Sequence, residues 1–355
     1  MTAWEPITLG TLELKNRIVR APFQTSNCGE GGTVSERKVR ETAELAKNEV
    51  GLIVTGQMAV LPSGRVSDYQ DMMFYHTHVA EQRKVTAAVH AAGGKIVAQI
   101  NYAGAKASAA VTRGLAPLGP SEFQFAPTSV PARAARVDEI HAIADAFAAA
   151  AGRVQEAGFD GVEIHAAHLY FISEFLNPFY NHRTDEYGGS AENRFRLLGE
   201  VLEKTRQTVG PDYPVLVKFE CNAVENDGGW VKDLIYFANR CAAYGVCALE
   251  ISGCDYIPRG AKGERLYYLG RLAFLKKMIG LPLILEGSVR SLEDIQKVMD
   301  AGIDLVAIGR ALCCEPDLIP RLKAGQEKAS CVSCSQCFAQ FLKDGRNCVL
   351  HKNEV

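Results

Sequence analysis

Four segments of this chain end a helical pattern on glycine and run at once into a short apolar stretch: "AAGGKIVAQI", "EAGFDGVEI", "AYGVCALEI" and "DAGIDLVAI". Glycine tolerates the left-handed backbone that stops a helix. Each join therefore reads as helix, turn, strand. The alternation extends along the chain. Apolar, β-branched runs fall at Ile18–Phe23, Gly51–Gly56, Lys95–Ile100, Gly161–His165, Val215–Glu220, Cys247–Ser252, Pro282–Glu286 and Asp304–Ile308. Amphipathic stretches between them predict helices at Ser35–Asn48, Val79–Ala92, Val137–Ala157, Ala191–Val209, Val231–Tyr244, Leu269–Ile279 and Leu292–Ala301. Eight strands alternating with helices predict a parallel sheet, and a sheet of eight can close on itself. The runs are continuously apolar, as strands buried on both faces are. The expected fold class is α/β: a (β/α)8 TIM barrel.

Such a barrel takes roughly 250 residues, and the chain has 355. The surplus falls in Gly104–Ala135 after the third strand, in Phe171–Ser190 after the fourth, and in a cysteine-rich tail. No linker long or polar enough to separate a second folded domain appears. Residues 1–325 are expected to form the barrel, and 326–355 a short Cys-rich C-terminal tail rather than an independent domain. The composition, 47% hydrophobic and 23% charged, supplies ample core. A formal charge of −2 offers no basic field to nucleic acid or anionic lipid. The start, MTAWEPITLG, lacks a basic region followed by an apolar run, and no apolar run reaches spanning length. The expectation is a soluble, cytoplasmic protein without a signal peptide or membrane span. Eleven cysteines in a cytosolic chain favour free thiols or metal ligands over disulfides. The oligomeric state stays open, a homo-oligomer included.

Barrels of this kind build their sites at the C-terminal ends of the strands. The segment "EIHAAHLYFISEFLNPFYNHRTDEYGGSAENRFR", Glu163 to Arg196, follows the fourth strand. His165, His168 and Tyr170 leave that strand end together. Imidazole N–H groups can hold a substrate carbonyl and stabilise charge growing on its oxygen. A nearby phenol can deliver a proton. Zinc would need at least a third protein ligand, and none is evident. The alternative is a polar loop that packs against itself.

This stretch closely resembles the Old Yellow Enzyme family of flavin-dependent ene-reductases, through "GFDGVEIH", the following A-H-x-Y, "DEYGGS" and "ENR". "LKNRIVRAPFQT", "GLIVTGQMAV", "AQINYAGA" and "EGSVRSLEDIQKVMDAGIDLVAIGRAL" extend the resemblance over essentially the whole chain. It implies an FMN-containing (β/α)8 barrel that reduces activated C=C bonds of α,β-unsaturated carbonyl compounds with NAD(P)H. By that resemblance Ala21, Pro22, Phe23 and Gln24 match the first-strand segment against the flavin ring. Gln57 matches a position beside the ring, and Gln99 the glutamine at its pyrimidine edge. Lys218 matches a basic position, usually Arg, whose cation favours negative charge on the reduced flavin. His165 matches a residue facing both flavin and substrate. Gly287, Ser288, Gly309 and Arg310 match the phosphate site. Small residues there let backbone N–H groups approach a phosphate, and an Arg fork can bind it.

The chain departs from the family in places. Gln24 stands where many members carry Thr or Cys beside the flavin carbonyl. Tyr102 and Ala105 replace His and Arg of the usual motif. The second change removes either a charge near the substrate entrance or one member of a structural pair. Asp185, Tyr187, Glu192 and Arg194 read as scaffolding, and Ser190 as a helix N-cap. His76 and His78 read as core or rim packing. Cys28, Cys221, Cys241, Cys247, Cys254, Cys313 and Cys314 lack ligand spacing and read as small buried hydrophobes.

Cys331, Cys334 and Cys337 form C-x-x-C-x-x-C, and Cys348 follows after ten intervening residues. Four thiolates at such spacing can wrap a [4Fe–4S] cube or hold tetrahedral zinc. Larger family members similar to 2,4-dienoyl-CoA reductase and trimethylamine dehydrogenase carry a related run, there a cluster that passes electrons to a further nucleotide-binding domain. This chain ends at Val355 without such a domain, so a cluster here would need an external electron-transfer partner. Free thiols and structural zinc remain alternatives. Rival activities are an iron–sulfur flavoprotein dehydrogenase, a flavin-free aldolase or isomerase barrel, and a non-catalytic flavin-binding subunit.

Overall fold

The computed structural model describes residues 2–24, 28–125, 129–222, 228–337 and 348–351. Eight parallel strands form a closed ring: β1 (Ile18–Arg20), β2 (Leu52–Val54), β3 (Ile96–Asn101), β4 (Gly161–Ala166), β5 (Val215–Glu220), β6 (Ala248–Ser252), β7 (Leu283–Glu286) and β8 (Leu305–Ile308). Each pairs with the next in chain order, and β8 closes on β1 with Val306 opposite Ile18. All eight predicted runs are strands. The first stops at Arg20, short of the expected Phe23. Pro22 has no N–H to give the ladder.

Seven helices lie where the amphipathic pattern places them: α1 (Glu36–Lys47), α2 (Thr77–Ala91), α3 (Val137–Glu156), α4 (Ala191–Val209), α5 (Gly228–Ala242), α6 (Leu269–Leu275) and α7 (Leu292–Asp300). The α4 boundaries match the expectation to the residue, and Ser190 Oγ accepts the Asn193 N–H at its start. Such a cap contributes ~1 kcal/mol. Helix α6 ends four residues early. Its last turn tightens into bonds such as Lys277 N–H to Phe274 O.

Strand side chains alternate between two cores. Outward residues such as Ile53, Ile100, Ile164 and Phe219 pack in one large core with the helices. Inward residues Val19, Leu52, Val54, Val97, Leu216, Ala248, Ile284 and Leu305 form a second core. Leu9, Leu12 and Leu14 join it from an N-terminal hairpin, Ile7–Leu9 with Leu12–Leu14. The hairpin plugs the N-terminal end of the barrel. It was not read from the sequence, since three-residue strands carry little periodicity. Its turn needs Gly10, which has φ +61° and lies where a Cβ would come 3.2 Å from Cys247 Cβ.

The same alternation carries inward positions from apolar to charged along the barrel axis. Beyond Leu216 on β5 come Lys218 and then Glu220. Beyond Ala248 on β6 come Glu250 and then Ser252. The C-terminal half of the barrel is thus lined by polar side chains. The tail folds back over this end: Ala329 N–H donates to Arg290 O at 2.7 Å, and Arg310 donates to Ser335 Oγ at 2.9 Å. Residues 338–347 and 352–355 of the tail lie outside the described residues. No helix among the described residues is long and apolar enough to cross a membrane.

Candidate active site at the C-terminal end of the barrel

A cavity opens at the C-terminal ends of the strands. It brings together Pro22, Phe23, Gln24, Gln57, Gln99, His165, His168, Tyr170, Lys218, Gly287, Ser288, Gly309 and Arg310. Of the barrel residues assigned from the sequence to catalysis or cofactor binding, Ala21 alone does not line it. Ala21 is fully buried in the inner core, and its N–H donates to Ile308 O at 3.1 Å.

The loop after β1 is held by the side chain of Arg20, which donates to the carbonyls of Ala21 (2.8 Å), Val54 (3.3 Å) and Phe23 (3.2 Å). Gly56 lets this loop lie flat on the end of β2, since a Cβ there would come 2.8 Å from Gln24 Cα. Gln57 then ties four strand ends together. Its Nε2 donates to Gln24 Oε1 at 3.1 Å and to Tyr170 Oη at 2.7 Å, and its Oε1 accepts from Asn101 Nδ2.

His165 and His168 meet edge to face with ring centroids 5.2 Å apart, and Tyr170 lies 5.0 Å from His165. Ala167 N–H donates to His165 Nδ1 at 3.2 Å, which puts the imidazole proton on Nε2. His168 Nε2 is 3.1 Å from Ser252 Oγ. Burial holds both imidazoles well below the usual histidine range, with Lys218 and Lys106 adding to it. Both are neutral near pH 7. Burial also raises the Tyr170 phenol, so it keeps its proton. His168 and Leu169 both adopt left-handed backbone, with φ +62° and +54°. Histidine tolerates this better than leucine, and such strain costs about 1–3 kcal/mol per residue.

Deeper in the barrel, Lys218 is 1% exposed. Its ammonium lies 2.6 Å from Glu250 Oε1 and 2.5 Å from Glu286 Oε2. Burial works against that charge, but Glu250, Glu286 and Glu163 outweigh it and hold the ammonium above the ordinary lysine range. Glu163 accepts from Gln99 Nε2 at 2.7 Å and leaves its Oε1 unpaired. Burial, then repulsion from Glu250, keeps Glu163 well above the carboxylate range. Burial pushes Glu250 up to about 7 despite the pull of Lys218. Three carboxyls thus surround one ammonium, and protons make up part of the difference. The sequence reading missed these acids, although a Glu inside each of "GVEIH", "ALEIS" and "LILEG" was a visible anomaly in strands buried on both faces.

At the other end of the cavity Gly287, Ser288, Gly309 and Arg310 form a cradle. Ser288 has φ +60°, and its Oγ has no partner. Arg290 also lines the cavity with an unpaired Nε. Arg310 donates to Tyr267 Oη at 2.5 Å and makes no ion pair with a carboxylate among the described residues. Two guanidiniums, an unspent hydroxyl and close backbone suit a phosphate. The amide-rich wall at Gln99 and Gln57 and this cradle together fit FMN. Arg290, Tyr256, Tyr267 and Tyr268 were not picked out from the sequence, although Arg290 stands two residues past Ser288 in the same motif.

Tyr102 is buried, its hydroxyl 3.2 Å from Ser63 Oγ. Ala105 N–H donates to Glu174 Oε1 at 2.9 Å, and the other oxygen of this buried carboxyl is unpaired. A carboxyl therefore faces the position whose charge is missing. Asp185 pairs with Arg183, and Arg194 with Asp233. Buried His78 packs against Phe74 and Tyr75, away from the cavity. Cys331 lines the cavity beside Ser333, Cys334 is exposed, and Cys337 is buried. Cys337 hydrogen-bonds with Cys313, and Cys348 with Cys314. The tail thiols thus approach two barrel cysteines that had been read as plain hydrophobes. No group of three or more His, Cys, Asp or Glu among the described residues is placed to hold a metal ion.

Residues 3–329 match the NADH:flavin oxidoreductase / NADH oxidase family. The chain is 33% identical over 316 residues to an NADPH dehydrogenase of Geobacillus thermodenitrificans, covering 88% of this chain and 91% of that one. It is 30% identical over 368 residues to a cinnamate reductase of Clostridium sporogenes, covering 94% of this chain and 54% of the relative. It thus spans nearly the full length of some relatives and about half of others. Among solved structures, the Old Yellow Enzyme homologue of Zymomonas mobilis superposes with a TM-score of 0.82 at 26% identity, over 96% of this chain and 99% of the other. With the barrel, the cradle and the paired imidazoles in place, the chain belongs to the NADH:flavin oxidoreductase / NADH oxidase family, as an FMN- and NAD(P)H-dependent oxidoreductase of the Old Yellow Enzyme type.

Proposed function

We propose that the protein reduces the C=C bond of α,β-unsaturated carbonyl compounds. FMN, held by Gln99, Gly287, Ser288, Gly309 and Arg310, would supply the hydride chemistry that links NAD(P)H to the β-carbon of the substrate. The chain's own residues do the rest. His165 donates its Nε2–H to the substrate carbonyl oxygen. That oxygen competes with Ser252 Oγ for His168 Nε2. Two neutral donors stabilise charge as it grows on the oxygen, in a water-poor site where such bonds are strong. Tyr170 protonates the α-carbon. Its oxygen already accepts from Gln57 Nε2, so its own hydrogen is directed elsewhere. The cinnamate reductase relative is named for an unsaturated carboxylic acid, a substrate with the same conjugation.

The observation that carries this reading is the trio of two neutral imidazoles and a protonated phenol on one rim of the cavity. His165→Ala is expected to lower enone turnover by ~10²–10³-fold while the protein still carries FMN. Anaerobic enone reduction, with the flavin absorbance recorded in parallel, tests it. Unchanged turnover would remove His165 from the chemistry.

A further inference from the structure

The turn that carries His168 out of β4 is strained, and something must hold it. His168 N–H donates to Glu220 Oε2, and Ser173 Oγ donates to Glu220 Oε1 at 2.5 Å. The same Ser173 Oγ accepts from Leu169 N–H at 3.1 Å. Glu220 ends β5, and Ser173 sits in the short helix Phe171–Leu176; both are 0% exposed. The two left-handed residues are therefore the two whose N–H groups converge on this carboxylate–hydroxyl pair. Neither Glu220 nor Ser173 lines the cavity.

We infer that Glu220 and Ser173 form a clamp that fixes the His168–Leu169 turn, so that Glu220 is a positioning residue for His168 and Tyr170. A carboxylate suits the task because it can accept from His168 N–H and Ser173 Oγ at once. Protonation would spend one of its oxygens as a donor and weaken the grip. Burial pushes Glu220 up to about 7, against the hydrogen bonds from Ser173 and His168 and the pull of Lys106. The groups facing it from other elements are Lys106 after β3, Cys254 after β6, which hydrogen-bonds to it, and Trp230 of α5, whose indole N–H donates to the Glu220 carbonyl at 3.2 Å. Lys106 also donates to His168 O at 2.6 Å and supports the turn from its other side. Burial lowers the Lys106 ammonium from its ordinary range and raises the Cys254 thiol. Glu220, pushed up to about 7, changes charge near that pH, and the clamp is tight above it and loose below it.

The effect on catalysis rests on the roles proposed for His168 and Tyr170; the clamp itself does not. The test uses FMN-loaded protein in three forms: wild type, Glu220→Gln and Ser173→Ala. Hydrogen exchange at the His168 and Leu169 amides is measured by mass spectrometry, with enone turnover as a function of pH. Retained flavin absorbance confirms folding. Exchange on the order of 10- to 100-fold faster in either variant is expected, from the loss of a buried charged acceptor or its bridge. Wild-type turnover should rise through an inflection near pH 7 that Glu220→Gln lacks. Unchanged exchange in both folded variants would overturn the clamp. Faster exchange with unaffected turnover would support the clamp and overturn the positioning role of Glu220 in catalysis.

Discussion

Replacing Lys218 by Met tests the charged layer beneath the site. The substitution keeps much of the side-chain volume and deletes a cation that touches Glu250 at 2.6 Å and Glu286 at 2.5 Å. At an effective dielectric constant of ~20, a pair 2.6 Å apart attracts by about 6 kcal/mol before desolvation. Removing one partner of a buried pair typically costs about 3–5 kcal/mol, because the other charge stays buried. The cost must depend on pH. A carboxyl whose folded pKa is raised loses stability as pH climbs from its unfolded value, about 4.3, to its folded value, at about 1.4 kcal/mol per unit. In the wild type Glu250 reaches that limit at about 7. Without Lys218 its pKa rises further, and the loss continues above pH 7. Urea unfolding at pH 5.5, 7 and 8.5, at two FMN concentrations to separate binding from folding, should show a penalty that is smallest at pH 5.5 and grows above pH 7. Adding Glu250→Gln should flatten that growth. A penalty of the same size at every pH would mean that Lys218 contributes packing alone, and the charge argument would be wrong.

Tyr170→Phe should slow enone reduction by the pre-reduced enzyme by ~10²–10⁴-fold and leave cofactor reduction by NAD(P)H nearly intact. Stopped-flow traces of the two half-reactions decide it, and equal slowing would argue against a proton donor. Arg310→Gln should weaken FMN binding by roughly 10–100-fold, the worth of a charge-assisted bond. Fluorescence titration of the flavin-free protein would reveal an unchanged Kd if the cradle is elsewhere. Metal analysis of anaerobically purified, flavin-loaded protein decides what the tail thiols hold, and iron far below one per flavin would leave Cys337 and Cys348 as thiols beside Cys313 and Cys314. Four irons per flavin by plasma mass spectrometry would show that Cys331, Cys334, Cys337 and Cys348 gather around a cluster after all.

Strand and helix identity were legible because they depend on local periodicity. Val215–Glu220 and Ala191–Val209 fall where the residue pattern puts them. The site was legible where its residues are close in sequence: His165, His168 and Tyr170 at one strand end, and Ser288 within "EGS". It was not legible where distant residues converge. Glu286 lies 68 positions from Lys218, and only closure of the ring and the inward register of β5 and β7 bring them together. Cys313 and Cys314 carry no ligand spacing in the chain, and the returning tail brings Cys337 and Cys348 to them.

The sequence by itself determined an eightfold β/α alternation, the end of the barrel that carries chemistry, and the imidazole–phenol segment. These follow from propensity and residue type over a few neighbours, which do not change on folding. Tertiary structure decided how charges are compensated in the barrel, which backbone strain is borne, and which hydroxyls and guanidiniums remain unspent. Those depend on distances across the barrel. A carboxyl at the end of β5 becomes a clamp only when β4 sets a strained turn within reach of its two oxygens.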